Sequence, residues 1–448
     1  MISLKPLYAA FLAVAVVIVV SLLLVAIIAG WVSRRRGGRA RAIAAVVTLV
    51  VLLVGLPKLV TVTGPLASPM SPLPPVLNAE APVPAGSGLF LAHDHGSVSG
   101  GSVIDLVRAS ARTGAVEWRR TSPLLADGAT LTSSDGILYG ADLPEAWALQ
   151  GSDGTELWHT TLVIPWQQIG ATPPYLGVYQ PVIGDGQVYL TLVNNDTRRG
   201  TLIALRARDG KQLWSRLLED YYTTVWTEPL AAGDGLVIVP SIGAGVAAFH
   251  ARDGSLAWQP KYKGDYVKLL GGVVYVSANP IVALNERTGA LLWTLPCSQA
   301  DGIAFSGFGT QLYVTGVPVE PVGPAAVYAF DTQQRRVLWT YAPARIPPLA
   351  APDRVFIVTG THLDAVRARD GTRAWRQEAE EPNAGPTGLV LLDNTLYVRV
   401  QLVYNHIIIF GCGDPCPQTN SLSAMRASDG ALYWRQYVSP DTFLLAAY

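Results

Sequence analysis

Cysteine is scarce, with three in 448 residues, so a disulfide framework is excluded as the main source of stability. Cys297 stands alone; Cys412 and Cys416 sit together in GCGDPCPQ, where an oxidising compartment favours a local loop staple over a redox or metal pair. Charge is sparse too, at 15% of residues. It sums to zero but is uneven: residues 1–62 carry seven Lys/Arg and no acid, leaving 26 basic and 33 acidic side chains in 63–448. That acidic excess excludes nucleic acid as the expected partner. No phosphate loop, Ser-His-Asp order or paired-carboxylate motif can be traced, which leaves no expected catalytic residue. His93-Asp94-His95 is the only cluster with ligand chemistry; it lacks an identifiable third ligand and reads more simply as polar loop.

The acid-free N-terminus contains two long apolar runs, 7–32 and 42–62, each sufficient for the ~20 residues that span a bilayer. Five arginines lie between them, within Ser33–Arg41. Positive charge stays on the cytoplasmic side, so 1–62 is expected to be a transmembrane helical hairpin with both ends outside. A cleaved leader is the competing reading for the first run. Residues 63–86 contain seven prolines and are expected to form an extended stalk.

From residue 87 onward one feature dominates. Trp118, Trp158, Trp214, Trp258, Trp293, Trp339, Trp375 and Trp434 recur in a common context, at spacings of 40, 56, 44, 35, 46, 36 and 59. Ten residues before each stands an alanine, except in the first repeat, which has Arg108. Asp-Gly or Thr-Gly lies four to five residues before each Trp, except in the sixth repeat, which has Gln334-Arg335. Recurrence at this period signals a repeat architecture.

Residues 201–214, TLIALRARDGKQLW, show the unit: an apolar strand, an Asp-Gly turn and a return strand ending in Trp. An earlier turn and strand precede it, as in Asp185-Gly186-Gln187-Val188-Tyr189, and the stretch after each Trp leaves room for a fourth strand. Eight such units predict an all-β, eight-bladed propeller of four-stranded antiparallel blades over 87–448. The Trp residues are expected to dock blade on blade, each against backbone cleared by a small residue next door. A buried indole removes about 200 Å² from water, roughly 5 kcal/mol gross. Only fourteen residues follow Trp434, and Thr442-Phe443-Leu444-Leu445-Ala446 is expected to complete the first blade as its innermost strand. The stalk would then enter on the face of the Asp-Gly turns.

At the Ala, Gly and Trp positions the chain resembles the pyrroloquinoline quinone-type propeller repeats, across roughly 87–448. An aspartate usual two residues after the alanine is matched only by Asp331. The resemblance implies eight blades and two contrasting functions. One is the quinone-dependent dehydrogenases, with pyrroloquinoline quinone and Ca²⁺. The other is non-catalytic scaffolds such as the outer-membrane assembly lipoprotein of Gram-negative bacteria. The chain lacks the adjacent cysteine pair carried by many of those dehydrogenases and any c-type haem motif, and their calcium ligands cannot be placed on it. No cofactor is therefore expected. The expectation is a membrane-anchored scaffold facing the extracytoplasmic side, with envelope proteins as partners. A quinone-dependent dehydrogenase or a carbohydrate- or ligand-sensing ectodomain is the alternative.

Unusual loops should mark the partner's face. The connection after Trp158 is long and holds Trp166, Tyr175 and Tyr179; the one after Trp214 holds Tyr221, Tyr222 and Trp226. Aromatics on loops of one face suggest a binding surface, against the alternative that they pack on inner strands.

Overall fold

The eightfold recurrence becomes eight antiparallel sheets. The structure is a computed structural model that describes residues 76–447 apart from short stretches, the longest being 222–229 and 403–419. Each sheet has a core of four strands, lettered A to D outward from the axis. Neighbouring A strands touch from blade three round through blade eight to blades one and two. In blade three the strands are Val182–Gly184, Gln187–Asn194, Arg199–Arg206 and Gln212–Glu219, and Gly177–Val178 also pairs with strand B. In blade six strand A comes in two pieces, Cys297–Gln299 and Phe305–Phe308.

Local chemistry explains the repeated hairpins. The A–B turns Asp135-Gly136, Asp185-Gly186 and Asp234-Gly235 take positive φ at both central residues. This is the turn whose twist matches paired strands, and Asp-Gly adopts it most readily. The C–D turns close differently: Asp153 Oδ1 accepts the Thr155 N–H at 2.9 Å, and the Gly154 N–H bonds back to Gln150 O at 2.8 Å. A bulge follows the paired Ala in strand C, as between Ala204 and Leu205, so one extra residue enters strand D.

Ring closure uses both ends of the described chain. Thr442–Ala447 is strand A of blade one and pairs with strand B, Gly88–Ser97, from Leu89↔Ala447 to His93↔Thr442. Blade eight carries a fifth strand on its outer edge: Val76–Leu77 lies antiparallel to strand D, Leu432–Val438, opposite Arg435 and Trp434. The chain then crosses to blade one, where the Ala81 N–H reaches Arg112 O at 2.9 Å. Ala81 and Val83 are buried in the core shared by these blades.

One expectation needs correction here. Part of the segment assigned to a free stalk is laid on the propeller, because its small apolar side chains fill the blade eight–blade one seam. Strand D runs from the C–D turns toward the B–C loops, so a strand antiparallel to it begins at the B–C loop end. Val76–Leu77 therefore runs from the loop face toward the face of the Asp-Gly turns, and the stalk residues before it lie outside the described residues. No helix among the described residues is long and apolar enough to cross a membrane, and residues 1–62 lie outside them.

Candidate functional site: blade joints and the loop-face cleft

The eight repeat tryptophans sit on the D strands. Each stands directly opposite the residue ten positions earlier, as in Ala204↔Trp214 and Ala424↔Trp434, so the alanine is a partner within the same blade. The small residue next door is instead the C–D turn glycine of the following blade. A Cβ on Gly371, Gly289 or Gly114 would come within 2.6–2.7 Å of Trp339, Trp258 or Trp434. The indole N–H then donates to a carbonyl at the head of the same turn: Trp158 to Ala207 at 2.8 Å, Trp214 to Ala251 at 2.8 Å, Trp339 to Ala368 at 2.7 Å and Trp375 to Ala427 at 2.9 Å. Trp118, Trp258 and Trp434 donate likewise to Gly151, Glu286 and Ala111. In seven blades a strand-B aromatic tilts onto the same indole, as Tyr189 does on Trp214 at 6.1 Å.

Both departures from the repeat have structural counterparts. Arg335, at φ 55°, fills the sixth repeat's glycine position, and Trp293 stacks on Phe330 with centroids 4.8 Å apart. Arg108, where the first repeat lacks alanine, is buried, ion-paired with Glu117 and hydrogen-bonded to Gly86 O, and Gly88 leaves room for its guanidinium.

The strand-B tyrosines are packing groups: burial pushes the Tyr275 and Tyr313 phenols up to about 12. Burial raises the Cys297 thiol to about 12 as well, which keeps it protonated and unreactive at neutral pH.

The loop face holds a cleft of about 430 Å³ between blades three and four. Leu217, Leu218 and Tyr221 form one wall, and Val239, Phe249 and Leu256 the other, with Ser241 and Gln259 among its polar groups. Its shape is braced. The Ala244 N–H bonds to Asp220 O at 2.8 Å, and the Val246 N–H to Tyr262 O at 2.8 Å. A Cβ on Gly245 would meet Tyr262 O at 2.8 Å, so this loop must pass close to backbone. Leu217 and Leu256 remain 37% and 54% exposed at the rim.

Of the loop aromatics singled out above, Tyr221 is buried in the core between these blades and also lines the cleft. Trp166 opens a single helical turn, Trp166–Ile169, and packs half-buried between blades two and three. That turn is pinned to the B–C loop of blade three: Thr197 Oγ1 donates to Ile169 O at 2.7 Å, and Asn194 Nδ2 to Gly170 O at 3.2 Å. Tyr175, Tyr179, Tyr222 and Trp226 lie outside the described residues, as do Cys412 and Cys416. His93 pairs with Thr442 and Asp105 in the strand ladder, but its side chain and that of His95 are outside the description. Among the described residues no group of three or more His, Cys, Asp or Glu could hold a metal ion.

Eight four-stranded blades with indole-on-glycine joints define a quinoprotein-type β-propeller. Within that class the chain belongs to the family of quinone-type repeat proteins described as outer membrane protein assembly factor BamB, matched over residues 102–274 and 277–443. Similar curated proteins include the factor BamB of Yersinia pestis, 27% identical over 213 residues (42% of this chain, 54% of the relative). That of Moranella endobia is 32% identical over 173 residues (36% and 43%). The chain thus spans about half the length of the curated relatives it matches. Among solved structures, the computationally designed Ika8 protein superposes with a TM-score of 0.51 at 12% identity, over 81% of this chain and all of that one. The BamB of Moraxella catarrhalis gives a TM-score of 0.46 at 16% identity, covering 69% and 96%.

The described A strands, among them TLTSS, VIG, AAG, VKLL and TFLLAA, contain no Asp or Glu, and Lys268 is their only charged residue.

Proposed function

We propose that this propeller is a non-catalytic, extracytoplasmic protein-binding module of the cell envelope, and that an apolar segment of its partner seats in the cleft between blades three and four. The cleft carries the reading. Its volume lies in the range of specific binding sites, its lining mixes apolar side chains with Glu219, Ser241 and Gln259, and its rim keeps leucines in water that a bound partner would cover. The family supports the same reading, since its matched relatives bear the name of an outer-membrane assembly factor. The membrane hairpin of residues 1–62 is part of the proposal and would hold the propeller at the bilayer.

The test places a photo-crosslinking amino acid at Leu256 in the full chain in its native membrane, with Val116 on blade one (58% exposed) as the control position. A discrete protein adduct from 256, absent from 116 and abolished by adding Leu217→Asp, is expected. Equal labelling from both positions refutes the cleft assignment. Titration with pyrroloquinoline quinone and Ca²⁺ checks the dehydrogenase alternative, and stoichiometric binding there would overturn the non-catalytic reading.

A further inference from the structure

An exposed sheet edge invites another strand, and proteins guard such edges by keeping them short, charging them or covering them. The outermost core strand of every blade is D, and each D strand meets one of those three conditions. Blades four and five keep it short, at Leu256–Trp258 and Leu291–Thr294. The six-residue strands of blades two and six open on a charge, Glu156 and Arg336. In blades one, three and seven the strands VEWRRTS, QLWSRLLE and RAWRQE carry at least two charged side chains each. Blade eight meets neither of the first two conditions. Its D strand, LYWRQYV, is seven residues long with one charge, and Arg435 Nε already donates to Ser423 Oγ at 2.9 Å. It is also the one D strand, among the described residues, that a further strand covers.

The cover is thin. Val76–Leu77 pairs with two of the seven residues, Arg435 and Trp434, and the Ala79 N–H adds a bond to Tyr433 O at 3.0 Å. Ala79 is exposed, whereas Ala81 and Val83, further along, are buried in the core of blades eight and one. The inner end is thus fixed by packing and the outer end is held by the backbone ladder. We propose that Val76, Leu77 and Ala79 form a guard strand, and that with it unseated a second copy of this chain takes its place, blade eight against blade eight. The same D edge on two copies is self-complementary in the antiparallel sense and closes as a two-fold pair. Such a pair would use up to seven residues of each edge where the guard uses two in its ladder. The guard prevails while seated because its pairing is intramolecular, at an effective concentration on the order of millimolar against a micromolar second chain. Blade four stands across the ring from blade eight, so the pair leaves the cleft of each copy open.

Sedimentation of the full chain in detergent tests this. Val76→Pro with Ala79→Pro strips N–H groups from the guard and leaves Ala81 and Val83 seated. The double variant is expected to form dimers, with self-association at least about tenfold tighter than that of the wild type and an unchanged near-UV circular dichroism spectrum. Adding Tyr437→Lys, a charge on the bared edge, should return it to monomer. Val76→Gly with Leu77→Gly, which weakens the seat through backbone entropy, replaces the proline variant if that one fails to fold. A folded guard variant that stays monomeric where dimers are expected, or one that dimerises equally with Tyr437→Lys, overturns the proposal.

Discussion

A methyl group on Gly371 should measure the strength of a blade joint. Gly371 lies in the C–D turn of blade seven at φ +69°, and a Cβ there would come within 2.6 Å of Trp339 Cδ2 from blade six. Three costs follow in Gly371→Ala. An L-residue in the left-handed region costs roughly 1 kcal/mol. Overpacking against an indole that is itself buried costs about 1–3 kcal/mol. Displacing the ring also stretches the 2.7 Å bond from Trp339 Nε1 to Ala368 O, worth about 1 kcal/mol. Together these give about 3–5 kcal/mol, a fall in Tm on the order of 5 °C for a propeller of this size. Gly186 is the control: its φ is +71°, but a Cβ there meets nothing within 4 Å. Gly186→Ala should cost only the backbone part, about 1 kcal/mol. The assay is paired thermal unfolding of the two variants with near-UV circular dichroism to follow the indoles. Equal losses in the two variants would refute the docking account, because they would leave only backbone strain.

Asp364 is wholly buried and holds Arg376 through bonds of 2.6 and 2.7 Å and the Tyr341 hydroxyl of blade six at 2.7 Å; Asp364→Ala should cost about 3–5 kcal/mol in denaturant unfolding. Burial pushes this carboxyl up, but Arg376 and Tyr341 outweigh it and hold it below the ordinary value, so its contribution is present at neutral pH and lost on acidification below the usual carboxylate range, a loss absent from Asp364→Asn. Deleting 441–448 removes strand A of blade one and bares Leu89, Phe90 and Leu91; a loss on the order of 5 kcal/mol or more is expected, and unchanged thermal unfolding would sink the closure. Ala81→Asp should lower Tm by several degrees by placing a charge in the blade eight–blade one core, whereas a merely tethering segment would tolerate it.

Much of the fold was legible because it is written in short-range chemistry. Asp185-Gly186 and Asp209-Gly210 demand turns, alternating apolar residues demand strands, and eight repetitions of one unit demand a ring. Even the closure by 442–447 followed, since a blade one strand short leaves an open edge. The alanine was legible as a position but not as a contact. Its spacing from Trp is a register within one blade, and it looks the same in sequence as a contact between blades. The glycine that receives the indole was visible only as a turn former, because its neighbour comes from 31 to 55 residues earlier in sequence in most joints. Proline in 63–86 argued for an extended segment, yet said nothing about whether its described part, such as Val76–Leu77, is free or laid on an edge.

The cleft was less legible still. Tyr221 carried a signal as a loop aromatic, but Leu217 and Leu256 are ordinary strand residues, and Val239 and Phe249 ordinary core. They converge only because strand D of blade three and strands B to D of blade four are placed side by side. Glu286 sits in a turn where any polar residue looks natural, and only the geometry of the other blades shows that its place is otherwise kept for alanine or glycine.

By itself the sequence determined the unit, its number and its covalent order, since turn chemistry and the period of two along a strand act over a few residues. Which indole meets which glycine, where Val76, Leu77, Ala81 and Val83 lie, and that Glu286 is buried at a blade joint were decided only by the tertiary structure. Those contacts join residues far apart in the chain, and burial, which sets their energies, exists only once the ring has closed.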